Sequence, residues 1–210
     1  MEKWKSECFS VRPLGETRSW RTESSRYPEY SRMLLAELIE LTAEIKAAWP
    51  PGAQTLKSGD VGHAELWEKA RRRDMLSDSV RIFTAMAVES FLNFYGVVRL
   101  GQVPFDSFIE RLSPFQKLQA LLKICHGAAI DHSSAISQTV TKIAARRNSL
   151  VHPKATEVVG ASTQADKDAD AIPIPGAAIE AVEDMTVFYR QFVDLVPEAD
   201  FLLPDAEQQQ

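Results

Sequence analysis

Apolar residues recur at three- and four-residue intervals in five separate stretches of the chain, and each stretch reads as one amphipathic helix. Over residues 30–48 the stripe is Leu34, Leu38, Leu41 and Ile45, and Pro50-Pro51-Gly52 stops it. Over 74–100, Val80, Phe83, Ala87, Phe91, Phe94 and Val98 form one stripe while Ile82, Met86, Val88, Leu92 and Tyr95 fill other faces. A helix apolar nearly all round belongs at the centre of a fold. Gly101 and Pro104 should close it, and residues 105–112 read as a turn or short helix. Ser113-Pro114-Phe115-Gln116 has an N-cap serine, proline at the first helical position and glutamine at the third, which is a capping box. Leu118, Leu121, Leu122 and Cys125 are the buried stripe that follows, and Gly127 ends it. A fourth helix spans 131–152 on Ile136, Val140, Ile143 and Ala144, and a fifth spans 177–196 on Ile179, Val182, Met185, Tyr189, Phe192 and Val196. Residues 64–73 are either a short helix or the first turns of the central one.

The pattern predicts an all-α fold, a four- to five-helix bundle over residues 29–196, preceded by an irregular extension over 1–28. Pro13, Gly15 and Pro28 punctuate that extension; its Trp4, Phe9, Trp20 and Tyr27 are expected to pack on the helical body, since large rings are seldom left in water. Residues 54–62 read as a loop and 154–176 as a long, mobile connection; 197–210, acidic and Gln-rich, should fray.

A length of 210 residues with 45% hydrophobic content suits one domain with a real core. The net charge of −5 excludes a surface coated for duplex DNA, so any nucleic-acid contact should be local. One such patch is Lys142, Arg146, Arg147, His152 and Lys154, with no acid between them; Arg71-Arg72-Arg73 is another. Either reads equally well as a solvated face. Cys8 and Cys125 are too few and too far apart for a disulfide framework or a zinc site, which fits a reducing cytoplasm. The first residues carry no apolar signal core, and Arg81, Glu89 and Arg99 break the most apolar helix, so no membrane span is expected. No glycine-rich phosphate loop, Ser-His-Asp arrangement or metal-spaced cluster is found, so neither cofactor nor metal is expected. His126 reads as a helix-end cap, and His63 and His132 as surface or cap residues.

The chemistry concentrates in Arg147-Asn148-Ser149-Leu150-Val151-His152-Pro153. Arg147 interrupts the apolar stripe of its helix, and a guanidinium there needs a carboxylate, a carbonyl, a polar cavity or a bound anion. Lys142, Arg146 and Ser149 take the outer face. His152 lies five residues on, roughly 140° further round an ideal helix, but Pro153 forces it out of the α region and turns it off that track. A bland reading remains open, in which Arg146, Arg147 and His152 cap a helix end before a proline. On the central helix Glu89 and Asn93 form a polar ridge. It is either satisfied by backbone or a neighbouring helix, or it orients Arg147 from across the bundle.

An arginine, a polar residue, three more residues and a histidine at the end of a helix resemble the ribonuclease motif of the HEPN superfamily. The helix around Ala87-Val88-Glu89-Ser90-Phe91-Leu92-Asn93-Phe94-Tyr95 resembles that family's long first core helix, and Ser113-Pro114-Phe115-Gln116-Lys117-Leu118 the helix after it; the likeness covers residues 74–154. The resemblance implies a metal-independent endoribonuclease acting on single-stranded RNA, tRNA or mRNA, in a toxin or phage-defence setting with an antitoxin or defence-system partner. RNA carries its own nucleophile, the 2′-hydroxyl, so products would end in a 2′,3′-cyclic phosphate and a 5′-hydroxyl. It further implies a homodimer in which two motif helices meet. Arg147 and His152 would be catalytic, Asn148 would bind phosphate or position His152, and Lys142, Arg146 and Lys154 would bind RNA more weakly. Family members governed by tyrosine modification often carry Tyr two residues after the His, where this chain has Lys154. Other relatives serve only as dimerisation or nucleotide-binding modules, and that is the alternative.

Overall fold

The computed structural model describes residues 8–11, 18–21, 24–49, 62–151 and 175–204. In chain order these form strands β1 (Cys8–Val11) and β2 (Arg18–Arg21) and helices α1 (Arg26–Ala48), α2 (His63–Leu100), α3 (Gln102–Phe108), α4 (Pro114–His126), α5 (Ala135–Val151) and α6 (Gly176–Leu195). A 3₁₀ turn, Pro197–Leu202, follows. The body is all-helical, as the periodicity predicts.

The axis of the bundle is α2, whose 38 residues rise about 57 Å. Residues 64–73 are its first turns and not a separate helix. Every other described helix packs against it, which is what its all-round apolar sequence requires. Around its C-terminal half lies the main core, with Phe91, Leu92 and Tyr95 against Leu118, Leu121 and Leu122 of α4, Val140 and Ile143 of α5, and Phe188, Tyr189 and Phe192 of α6. The Phe91 ring meets those of Phe188, Tyr189 and Phe192 edge-on at centroid distances of 5.9, 5.3 and 5.1 Å, the geometry favoured by the ring quadrupoles. A smaller core joins Leu38, Leu41 and Ile45 of α1 to Leu76 and Val80 of α2 and Ala178 of α6.

Four boundaries depart from the sequence reading here. The extension is not irregular throughout: β1 and β2 pair antiparallel, with Cys8 opposite Arg21 and Phe9 opposite Trp20. Helix α1 starts at Arg26, so Pro28 sits in its first turn, where the missing N–H has no intrahelical partner to lose. Tyr27 packs on the body, its ring stacked on Phe83 at 6.1 Å; the side chains of Trp4, Phe9 and Trp20 lie outside the described residues. Gly101, at φ 83°, ends α2, whereas Pro104 falls in the first turn of α3. The expected fraying after 197 is corrected: Ala199, Leu202 and Leu203 are buried in the main core. These apolar residues outweigh the charges between them, and only 205–210 lie outside the described residues at that end. The loop at 54–62, apart from Gly62, and the connection at 154–176, apart from Pro175 and Gly176, also lie outside them.

At Gly96 the close approach of α3 and α4 to α2 has a specific test. A Cβ there would come within 2.5 Å of the Phe105 ring and 3.0 Å of Leu121 Cδ2. Phe105 is buried and has no room to swing away. Alanine in mid-helix gains about 1 kcal/mol in propensity, but overpacking costs about 1–3 kcal/mol. Gly96→Ala should therefore destabilise the protein, read as a lower urea midpoint with unchanged slope.

Candidate functional site

Helix α5 begins four residues later than its stripe implied. The Asp131 carboxylate accepts from the Ser133 hydroxyl (2.7 Å) and from the amides of Ser133 (2.9 Å) and Ser134 (3.1 Å), which turns the chain before Ala135. Those hydrogen bonds also hold its pKa below the usual carboxylate range. Once under way, α5 buries Ile136, Val140 and Ile143 as its periodicity predicts.

Beyond Ile143 the same face opens on a cleft of about 450 Å³ between α2, the turn leading into α4, and α5. Leu112, Pro114 and Ala144 give it a partly exposed apolar surface, backed by the buried Ala85, Val88, Val140 and Ile143; Glu89, Arg111, Arg147 and Asn148 bring polar residues to its lining. Arg147 is half-buried. Its Nη1 donates to Asn148 Oδ1 at 3.2 Å. Among the described residues it makes no ion pair. The cation that interrupts the stripe thus faces a cavity, one of the four surroundings its burial demanded.

Glu89 and Asn93 do not orient it. Both accept from Lys117 Nζ, at 3.0 and 2.8 Å, and Lys117 is only 1% exposed. The ridge is satisfied by a neighbouring helix, the plainer of the two readings. The cause is α4's own demand, because a buried ammonium requires a carboxylate and further acceptors. Sequence reasoning missed Lys117, although it lies one turn before Leu121 on the buried face of α4. Glu89 still reaches the cleft wall, with its charge balanced from behind.

Two members of the expected basic patch are ion-paired. Lys142 Nζ lies 3.0 Å from Asp184, and Arg146 pairs with both Asp184 and Glu180. Arg146 is therefore not on the outer face; its side chain is 17% exposed in the seam between α5 and α6. The acids responsible stand one turn apart on α6, a match between helices that single-helix periodicity does not display. The triple arginine is likewise dispersed: Arg71 lies 3.7 Å from Glu68, Arg72 pairs with Glu37, and Arg73 is buried and bonded to Asp74. His152 and Lys154 lie outside the described residues.

A second polar cluster, also missed, joins the ends of α2 and α4 to the 3₁₀ turn. The Tyr95 hydroxyl bonds His126 Nε2, while Glu198 lies 3.5 Å from His126 Nδ1 and 3.7 Å from Arg99. His126 is the last residue of α4, as the cap reading expects, but it also ties two other elements together. Burial pushes the Tyr95 phenol and the Cys125 thiol up, Arg99 opposing it in both. His63 opens α2 with its ring stacked on Trp67 at 6.3 Å, and exposed His132 rests on Phe115 at 4.1 Å. Among the described residues no helix is long and apolar enough to cross a membrane.

Two outcomes follow. Glu89→Gln should cost more than Lys117→Met in chemical denaturation, about 3 against about 1–2 kcal/mol. The first strands a buried ammonium, whereas the second leaves a carboxylate that the cleft can hydrate. A raised thiol pKa means less thiolate at a given pH, so Cys125 in a Cys8→Ser background should react with a disulfide reagent more slowly than free cysteine at about pH 8, and equally fast once unfolded.

Compared with family models, with curated proteins and with solved structures, the chain gives no match.

Proposed function

We propose that this chain is a HEPN-type, metal-independent endoribonuclease that cleaves single-stranded RNA through its 2′-hydroxyl, as a toxin or defence effector. The observation that carries this reading is Arg147: of the three cations on the last turns of α5, Lys142 and Arg146 are tied to α6, while Arg147 lines an open cleft with only Asn148 as its described partner.

In that cleft the planar guanidinium can hold two non-bridging oxygens of a phosphodiester as charge builds on phosphorus. The 2′-oxygen attacks the adjacent phosphorus, the P–O5′ bond breaks, and a 2′,3′-cyclic phosphate and a 5′-hydroxyl result. His152 takes the 2′ proton or delivers one to the leaving oxygen, the role for which an imidazole is the usual side chain. Asn148 holds Arg147 in place. A second copy of the chain would bring the second proton-transfer group, and the homodimer fits the exposed face of α5, where Thr141, Ala145, Asn148 and Ser149 are small and uncharged. The cleft's apolar surface also suits a non-catalytic nucleotide-binding or dimerisation module, which is the second reading.

Purified protein incubated with total RNA in EDTA should cleave it, leaving cyclic-phosphate ends. Arg147→Ala and His152→Ala should each lower the rate at least about 100-fold with unchanged circular dichroism. Cleavage that survives either substitution removes the motif from the chemistry. No cleavage by the unaltered protein leaves the binding module.

A further inference from the structure

The cleft carries a second cation that the HEPN-like motif does not include. Arg111, in the turn between α3 and α4, lines the same cavity as Arg147, is exposed, and has no ion pair among the described residues. It comes from a different element, so the two arginines line one space from two sides.

Among the described residues the charge in that space is unbalanced. Of the charged residues lining it, Glu89 is the acid, and Lys117 behind the wall offsets it at 3.0 Å. Ser113 and Gln116 on the same wall are engaged with each other in the capping box: the Ser113 hydroxyl donates to Gln116 Oε1 at 2.9 Å, and Gln116 N donates back to the hydroxyl. Two guanidinium groups are left to set the potential beside an apolar surface. Like charges converging on one cavity repel unless an anion sits between or beside them, and one phosphodiester supplies a single negative charge. A ligand with two anionic groups and an apolar body between them matches both features.

We propose that Arg111 binds a second backbone phosphate, next to the one held by Arg147, with the intervening nucleoside lying against Leu112, Pro114 and Ala144, the partly exposed apolar residues of the lining. This rests on the RNA reading and sharpens it. The substrate is then a strand with at least two consecutive phosphates at the site, and Arg111 fixes the register of cleavage without taking part in the proton transfers.

The test separates binding from chemistry by using a fluorescent 2′-O-methyl RNA decamer, which lacks the nucleophile and cannot be cut by this route. Affinity is measured by anisotropy across a range of salt. Each phosphate contact on a single strand contributes about 0.7 to the slope of log affinity against log salt. Arg111→Gln should lower that slope by about 0.7 and weaken binding severalfold at low salt. Arg111→Lys should restore the slope, and Arg190→Gln, an exposed arginine on α6 away from the cleft, should leave it unchanged. An unchanged slope in Arg111→Gln overturns the proposal, as does an equal fall in Arg190→Gln, or no binding by the unaltered protein. If cleavage of natural RNA requires Arg147 while the Arg111 slope does not move, the nuclease reading stands and the second phosphate site falls. If the slope falls but no RNA is cut, the cleft binds strands without cleaving them.

Discussion

A helix segment apolar nearly all round, such as residues 80–98 of α2, can persist in water only when other helices enclose it, and α2 imposes that condition on the whole chain. Its N-terminal half is covered by α1 and its C-terminal half by α4, α5, α6 and the 3₁₀ turn. The few polar groups on α2 then dictate polar partners on the covering helices. Glu89 and Asn93 draw in Lys117, and Tyr95 and Arg99 meet His126 and Glu198. Buried polar groups cost free energy unless they are paired, so these contacts also fix which face of α4 turns inward.

The cleft arises where that enclosure is incomplete. Helix α5 covers α2 through Ile136, Val140 and Ile143, but one turn later its inward position holds Arg147, and among the described residues no apolar side chain fills the space. Pairing along the α5–α6 seam ties down Arg146 and engages the half-exposed Lys142 with Asp184. Two cations remain in a pocket whose acid is already compensated. The electrostatic character of the site therefore depends on ion pairs outside it as much as on its own lining.

Much of this was legible in the sequence, and what was not has an identifiable cause. The stripes gave the helices, and Ser113, Pro114 and Gln116 gave the start of α4 in detail, because capping is local chemistry between residues three apart. Arg147 could be singled out because it breaks a periodic pattern. The start of α5 was misplaced because Asp131 prefers to bond the amides that follow it, a turn-forming habit that hydropathy does not register. Lys117, Arg146 and Arg111 were unread or misread for a different reason. Their surroundings are set by acids, or by the lack of acids, on other helices, which no single-helix pattern contains. The tail's docking is not legible because Ala199, Leu202 and Leu203 form no helical stripe, yet meet the core as a group.

The docking of that tail bears on when the protein can become ordered as it is made. Phe188, Tyr189 and Phe192 flank Phe91, and Ala199, Leu202 and Leu203 close the same core, although all of them emerge from the ribosome at least 97 residues behind it (188 − 91 = 97). Until residues near 203 have been synthesised, the apolar surface of α2 has no complete cover, so the main core cannot close until most of the chain has been translated.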